Sequence, residues 1–164
     1  MEDAGREKAL AMFRDMEIEF EIVDHPAVFT IEEMRQQRIP HLGNVPKNLF
    51  VRDEKKRNYY LVMLRNDKTA DLKAVRDQIN SKRLSFASEE DLGSILGLTQ
   101  GEVSPLGVMA DSKNAVTVVI DNDLRELGFL GVHPNDNTAT VYLAFGDIIK
   151  LLHEWGKRII YVEV

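Results

Sequence analysis

A lysine stands at the start of a predicted strand, where its charge meets the apolar residues of a core. After Lys47, Leu49 and Val51 should face one side of the strand and Phe50 the other. A second apolar run, 59–64, follows a charged segment, and the two runs together predict a β-hairpin. The lysine either extends to water or lies at the mouth of a pocket, where it can bind an anionic or carbonyl group.

Two turn-rich stretches carry further candidate groups. Residues 101–107 read Gly-Glu-Val-Ser-Pro-Leu-Gly, and residues 133–140 read His-Pro-Asn-Asp-Asn-Thr-Ala-Thr. Gly101 either supplies an unusual backbone angle for a turn or lets a ligand approach the main chain closely. His133 either pins its own turn or offers a donor or acceptor that titrates near neutral pH. Neither stretch decides between its two interpretations alone.

The sequence favours neither a metal site nor a side-chain nucleophile. Its four histidines, His25, His41, His133 and His153, lack the local spacing of metal ligands. The chain has no cysteine, which removes thiol nucleophiles and cysteine-ligated zinc from consideration. It also has no Gly-x-Ser-x-Gly elbow, and Ser104 precedes a proline. We therefore expect no metal site.

Length and composition predict one globular domain over residues 1–164. The longest apolar runs, 59–64 and 115–120, are too short to span a bilayer. The first residues lack the apolar stretch of a signal peptide, so we expect a cytoplasmic protein. The net charge of −6 argues against wrapping nucleic acid over a broad basic face, and any RNA contact should be local.

The apolar periodicity predicts interleaved helices and strands. Helical spacing indicates helices over 7–16, 71–79 and 147–155. Capping signals indicate short helices after Thr30, Ser88 and Asp121. Strand patterns occur at 18–22, 47–53, 59–64, 85–87, 115–120, 138–143 and 158–164. Hairpin-linked strands beside helix-linked ones predict an α/β single domain with a curved mixed β-sheet surrounded by helices.

Four motifs, in this order, carry a resemblance to a known family. They occupy residues 25–30, 47–50, 101–105 and 133–140, and they extend over nearly the whole chain. Together they resemble the YbaK/prolyl-tRNA editing family, and more narrowly its free-standing, prolyl-tRNA-synthetase-associated alanyl-tRNA(Pro) deacylases. The fold implied by this resemblance is the YbaK-like domain.

The resemblance implies an enzyme that hydrolyses the ester of mischarged tRNA(Pro), with alanyl-tRNA(Pro) as the expected substrate. A cysteinyl-tRNA(Pro) deacylase and a non-catalytic module that binds aminoacyl-tRNA or proline stay open as alternatives. The implied partner is the acceptor end of an aminoacyl-tRNA, and prolyl-tRNA synthetase stays open as a second partner. Neither metal nor cofactor is implied, because a ribose hydroxyl of the substrate is commonly taken as the general base.

Residue roles follow from the same resemblance. Lys47 would be the essential catalytic residue, placed at the terminal adenosine and its phosphate. Asn48 would help to position the ligand, Gly101 would present main-chain groups to the aminoacyl moiety, and His133 would border the same pocket.

Discrimination between amino acids would come mostly from pocket volume, because a small pocket can exclude a larger side chain sterically. We expect its wall to include Val28, Leu49 and Leu106. At Leu106 and the following glycine the chain departs from the bulkier residues expected in relatives, which leaves open the identity of the removed amino acid.

Overall fold

The computed structural model describes residues 4–164 and divides their eight strands between two sheets. The larger sheet contains β2 (Lys47–Asp53), β3 (Tyr59–Leu64), β4 (Leu84–Phe86), β5 (Val116–Asp121) and β8 (Ile159–Val162). Their order is β4-β2-β3-β5-β8, with antiparallel pairs around β2 and parallel pairs around β5. The smaller, antiparallel sheet has the order β1-β7-β6, formed by β1 (Glu21–Asp24), β6 (Phe129–Val132) and β7 (Ala139–Ala144).

The helices are α1 (Ala4–Asp15), α2 (Ile31–Gln36), α3 (Leu72–Ile79), α4 (Glu89–Asp91) and α5 (Phe145–Glu154). A π-helical turn, Leu92–Leu96, continues α4, and 3₁₀ turns occupy Leu42–Asn44, Pro105–Ala110 and Asn122–Leu127. The three predicted caps are confirmed, since side-chain oxygens of Thr30, Ser88 and Asp121 each accept a hydrogen bond from a main-chain N–H two or three residues ahead. Among residues 4–164, no helix is long and apolar enough to cross a membrane.

The main core joins one face of each sheet and is completed by α1 and α5. A second cluster lies on the other face of the larger sheet, beneath α3. The alternation predicted for β2 separates these two clusters: Phe50 lies in the main core, whereas Leu49 and Val51 belong to the cluster beneath α3. The first half of β2 therefore has side chains on both sides of the sheet.

The α/β class and the mixed sheet are confirmed, while one predicted strand is shifted and one observed strand has no counterpart in the prediction. The strand predicted at 18–22 is formed by Glu21–Asp24 instead. Ile18 closes the end of α1, because Glu17 is left-handed and the Ile18 N–H donates to the carbonyl of Phe13 at 2.8 Å. Strand β6 was not predicted, since its four residues interrupt their apolar pattern with Gly131.

Candidate active site

A cavity of about 410 Å³ lies where the four sequence motifs meet. Its wall combines the segment before α2, the first half of β2, the loop at 100–103 and the end of β6. Six of the seven predicted site residues line it: Val28, Lys47, Asn48, Leu49, Gly101 and His133. The structure therefore brings Lys47 and Gly101 to one cavity, although 53 residues of sequence separate them.

One edge of β2 is open to this cavity. Strand β4 pairs with Val51–Asp53 only, so no strand covers the edge of β2 at residues 47–50. On this side the carbonyl of Phe50 accepts a hydrogen bond from the N–H of Ala87 at 2.9 Å. Because main-chain groups alternate along a strand, the N–H and C=O of Asn48 point to the same side. The cavity wall thus offers a main-chain donor and acceptor.

The Asn48 side chain adds a second polar group. Its Oδ1 atom is buried and has no hydrogen-bond partner in the described part of the chain. A buried amide oxygen without a partner costs free energy that a hydrogen-bond donor on a ligand would recover. Since Asn48 lines the cavity, a bound molecule can supply that donor.

Among the described residues that line the cavity, Lys47 is the one cation, and the other charged residue is Glu89. Its Nζ donates one hydrogen bond, to the main-chain carbonyl of Lys68 at 2.5 Å. Within residues 4–164 the ammonium has no other acceptor. An ammonium carries three N–H donors, so two of them can serve a ligand.

The carbonyl that holds Lys47 belongs to a firmly anchored loop. The buried carboxylate of Asp121 accepts from the N–H of Arg65 at 3.0 Å and from the Nζ of Lys68 at 2.9 Å. Lys68 also pairs with Asp123 at 2.7 Å. Burial lowers the pKa of Lys68, but its hydrogen bonds to the two carboxylates outweigh burial and raise that pKa above its ordinary value.

His133 presents a neutral ring to the cavity. Its Nδ1 lies 3.0 Å from the carbonyl of Ala139, and because a carbonyl only accepts, Nδ1 carries the proton. Burial lowers the pKa of His133 below its ordinary 6.5, so Nε2 is an unprotonated acceptor at neutral pH. The Ser104 hydroxyl donates to the carbonyl of His133 at 2.6 Å, which ties the two turn-rich stretches together.

The position of Gly101 leaves no room for a side chain. Its φ of +91° lies in the left-handed region, and a Cβ atom there would approach Cδ1 of Phe29 to 2.4 Å. The space left by the missing side chain is therefore occupied by the Phe29 ring. Gly101 still lines the cavity, and its presentation of main-chain groups to the aminoacyl moiety stays a prediction.

Two of the three predicted wall residues line the cavity. Val28 is buried and Leu49 is half-buried, and both face it. Leu106 does not line it. This leucine lies in the main core with 1% of its surface exposed, because the 3₁₀ turn that starts at Pro105 directs it inward.

Sequence reasoning missed several lining residues, including Phe29, Phe86 and Thr140. Phe29 lies inside one of the four motifs, so its motif was available as a signal. Thr140 likewise lies inside the motif at 133–140. Phe86 lies outside all four motifs and reaches the cavity through strand pairing, which local sequence does not encode. Both ring nitrogens of His25 are hydrogen-bonded, Nδ1 with the Pro26 carbonyl and Nε2 with Thr140 Oγ1, each at 2.9 Å.

No group of three or more potential metal-ligating side chains is found in the part of the chain that the structure describes.

Comparisons with known proteins decide the family. The family model described as "Aminoacyl-tRNA editing domain" matches residues 25–151, a range that includes all four motifs in full. The chain belongs to the aminoacyl-tRNA editing domain family. The resemblance found in the sequence is thereby confirmed, and with it the prediction of an enzyme that deacylates aminoacyl-tRNA.

Similar proteins align with most or all of the length of this chain. The prolyl-tRNA editing protein ProX of Acetoanaerobium sticklandii is 40% identical and covers 100% of both chains. The prolyl-tRNA synthetase associated domain-containing protein 1 of Danio rerio is 35% identical over 91% of this chain and 82% of its own. A crystal structure of a candidate trans-editing enzyme for prolyl tRNA synthetase aligns with a TM-score of 0.73 over 98% of each chain at 18% identity, which supports the fold.

Proposed function

We propose that this editing domain hydrolyses the ester of mischarged tRNA(Pro), with alanyl-tRNA(Pro) as its substrate. The observation that carries the proposal is the Lys47 ammonium, which keeps two N–H donors available beside a cavity with little other charge. Such a group can bind the phosphate of the terminal adenosine or the oxyanion that forms during ester hydrolysis. The names of two relatives support tRNA(Pro) as the RNA, since one refers to prolyl-tRNA editing and the other to a domain associated with prolyl-tRNA synthetase.

The proposed reaction needs positioning more than a strong nucleophile. Water attacks the ester carbonyl and gives up a proton, and a tetrahedral oxyanion forms. Its collapse breaks the bond to the ribose oxygen, which takes up a proton as it leaves. Lys47 Nζ and the Asn48 main-chain N–H are the donors available to developing negative charge. Asn48 Oδ1 and His133 Nε2 are acceptors for the substrate's α-ammonium. An activated ester held beside such groups needs no side-chain nucleophile.

Selection of alanine over proline would be steric. Val28 and Leu49 are apolar wall residues, and a wall that leaves too little room for the prolyl ring excludes it outright. Attraction alone could not achieve this, since one extra methylene changes binding by only about 1–3 kcal/mol. The proposal retains the metal-free site, the cytoplasmic setting and the single editing domain over residues 1–164 expected from the sequence, with prolyl-tRNA synthetase as an optional second partner.

The test is single-turnover loss of radiolabelled amino acid from alanyl-, cysteinyl- and prolyl-tRNA(Pro). We expect fast loss of alanine and no loss of proline. Faster loss of cysteine would replace the substrate assignment with the cysteinyl alternative. Tight tRNA binding without loss from any ester would replace the catalytic proposal with the binding module.

A further inference from the structure

Exposed aromatic side chains mark the mouth of the cavity. Four large hydrophobic side chains in residues 4–164 are exposed, namely Phe29 (61%), Phe86 (60%), Tyr161 (38%) and Ile22 (37%). The two most exposed, Phe29 and Phe86, both line the cavity, and the other two do not. Because burial in the core does not explain their positions, two phenylalanines at one opening point to a ligand.

Phe29 is held in place although most of its ring faces solvent. Its N–H donates to the carboxylate of Glu33 at 3.0 Å, and the Glu33 N–H donates to Thr30 Oγ1 at 3.0 Å. This reciprocal pair fixes the backbone at the start of α2. The ring lies against Gly101, where no side chain could fit between them. An aromatic ring fixed in this way loses little further freedom when a ligand stacks on it.

Phe86 lies on the same face of the larger sheet as Lys47. It stands opposite Val51 in the antiparallel pairing of β4 with β2, so the two side chains share a face. Leu49 and Lys47 follow on that face at alternate positions. Val51 is four residue steps along the strand from Lys47, or about 13 Å. A single extended ligand can therefore reach both the phenylalanine and the ammonium.

The charge of the cavity argues for stacking as a source of RNA affinity. Within residues 4–164, Lys47 is the only cationic residue that lines the cavity, and the full sequence has 27 acidic against 21 basic side chains. Attraction of phosphates is therefore weak. Stacking of an unpaired base on an aromatic ring contributes about 1–3 kcal/mol per base and needs no net charge.

We propose that Phe29 and Phe86 each stack against an unpaired nucleobase at the 3′ end of the bound RNA. This inference rests on the proposed function, because it assumes that an RNA acceptor end enters the cavity. The two rings hold the single-stranded end at the mouth while the terminal ester reaches Lys47. Stacking of this kind tolerates any base and favours the larger purines.

The test uses an uncharged RNA hairpin with four unpaired 3′ nucleotides, the last of which carries 2-aminopurine. Stacking quenches the fluorescence of this base, so titration reports both affinity and contact without any hydrolysis. The variants are Phe29→Leu and Phe86→Leu, in which leucine keeps an apolar side chain. Tyr161→Leu is the matched control, because it removes an exposed aromatic ring that does not line the cavity.

We expect each phenylalanine variant to bind about 5- to 100-fold more weakly than wild type, with reduced quenching in at least one of them and no change in the control. Wild-type affinity in either variant would overturn the inference. A loss of equal size in Tyr161→Leu would also overturn it. Deacylation by the wild type is measured separately: stacking without ester loss would contradict only the proposed function, and ester loss without an effect of either phenylalanine would contradict only the stacking.

Discussion

Lys157 is buried and Lys47 is partly buried, and the two differ in how their ammonium groups are used. Lys157 donates to Asp111 Oδ2 at 2.7 Å, to the Asp111 carbonyl at 3.1 Å and to Asn114 Oδ1 at 3.2 Å. In the described part of the chain, Lys47 donates to the Lys68 carbonyl alone. The first ammonium has an acceptor for each of its three N–H groups, whereas the second keeps two for a ligand. The number of N–H groups with an acceptor in the protein therefore distinguishes a structural lysine from a candidate catalytic one.

The environment of Lys157 explains why it is structural. Its side chain and that of Asp111 are 1% and 3% exposed, so each charge depends on the other. Asp111 also accepts from the N–H groups of Ala115 and Val116, at the start of β5. Burial raises the pKa of Asp111, but the hydrogen bond from Lys157 and those two N–H groups outweigh it and leave the pKa below its ordinary value. The pair anchors a central strand of the larger sheet.

The largest effect on stability is expected when this anchor is broken. Lys157→Met leaves the Asp111 carboxylate buried without its partner, which should lower the free energy of unfolding by about 3–5 kcal/mol. Urea denaturation measures this loss. The folded fraction should keep its rate of ester hydrolysis, because Lys157 does not line the cavity. Unchanged stability, or abolished hydrolysis in fully folded protein, would contradict the structural assignment.

A smaller effect is expected from the loop that holds Lys47. Asp121→Asn keeps the shape of the side chain but removes the charge that binds Lys68, so the Lys68 carbonyl and the Lys47 ammonium should shift together. Misplacement of a catalytic group by a fraction of an ångström should lower kcat about tenfold and leave KM nearly unchanged. Steady-state kinetics on alanyl-tRNA(Pro) separate the two constants.

Asn66→Ala provides a comparison for this variant. Its amide donates to the carbonyls of Leu42 and Val45, so the substitution loosens a neighbouring part of the same loop without touching Asp121. If the two variants lose similar stability but only Asp121→Asn lowers kcat, Asp121 positions Lys47. If kcat is unchanged in Asp121→Asn, that positioning role is wrong.

Sequence patterns located the motifs of the site but not the contacts that support them. The alternation around Lys47 and the caps at Thr30 and Ser88 are local, and they were predicted correctly. The support of Lys47 depends on Asp121, which meets the Arg65–Lys68 turn only because β3 and β5 pair in parallel. That pairing joins residues more than fifty positions apart, and no local period encodes it.

Leu106 and Phe86 show the same limit. A leucine beside a proline turn can face either the core or a cavity, and only the packing of the 3₁₀ turn places Leu106 in the core. Phe86 has the alternation of a short strand, but its exposure depends on how far β4 extends along β2. Both outcomes are set by tertiary packing rather than by the residues nearby.

The most direct test of the central claim compares two lysine substitutions in one assay. Lys47→Met removes the ammonium that keeps two N–H groups for a ligand. Lys55→Met removes an exposed lysine of the β2–β3 turn and is the matched control. Single-turnover release of alanine from alanyl-tRNA(Pro) should fall at least about 100-fold in Lys47→Met and stay at the wild-type rate in Lys55→Met, with the urea midpoint little changed in either. Hydrolysis by folded Lys47→Met at close to the wild-type rate would contradict the account.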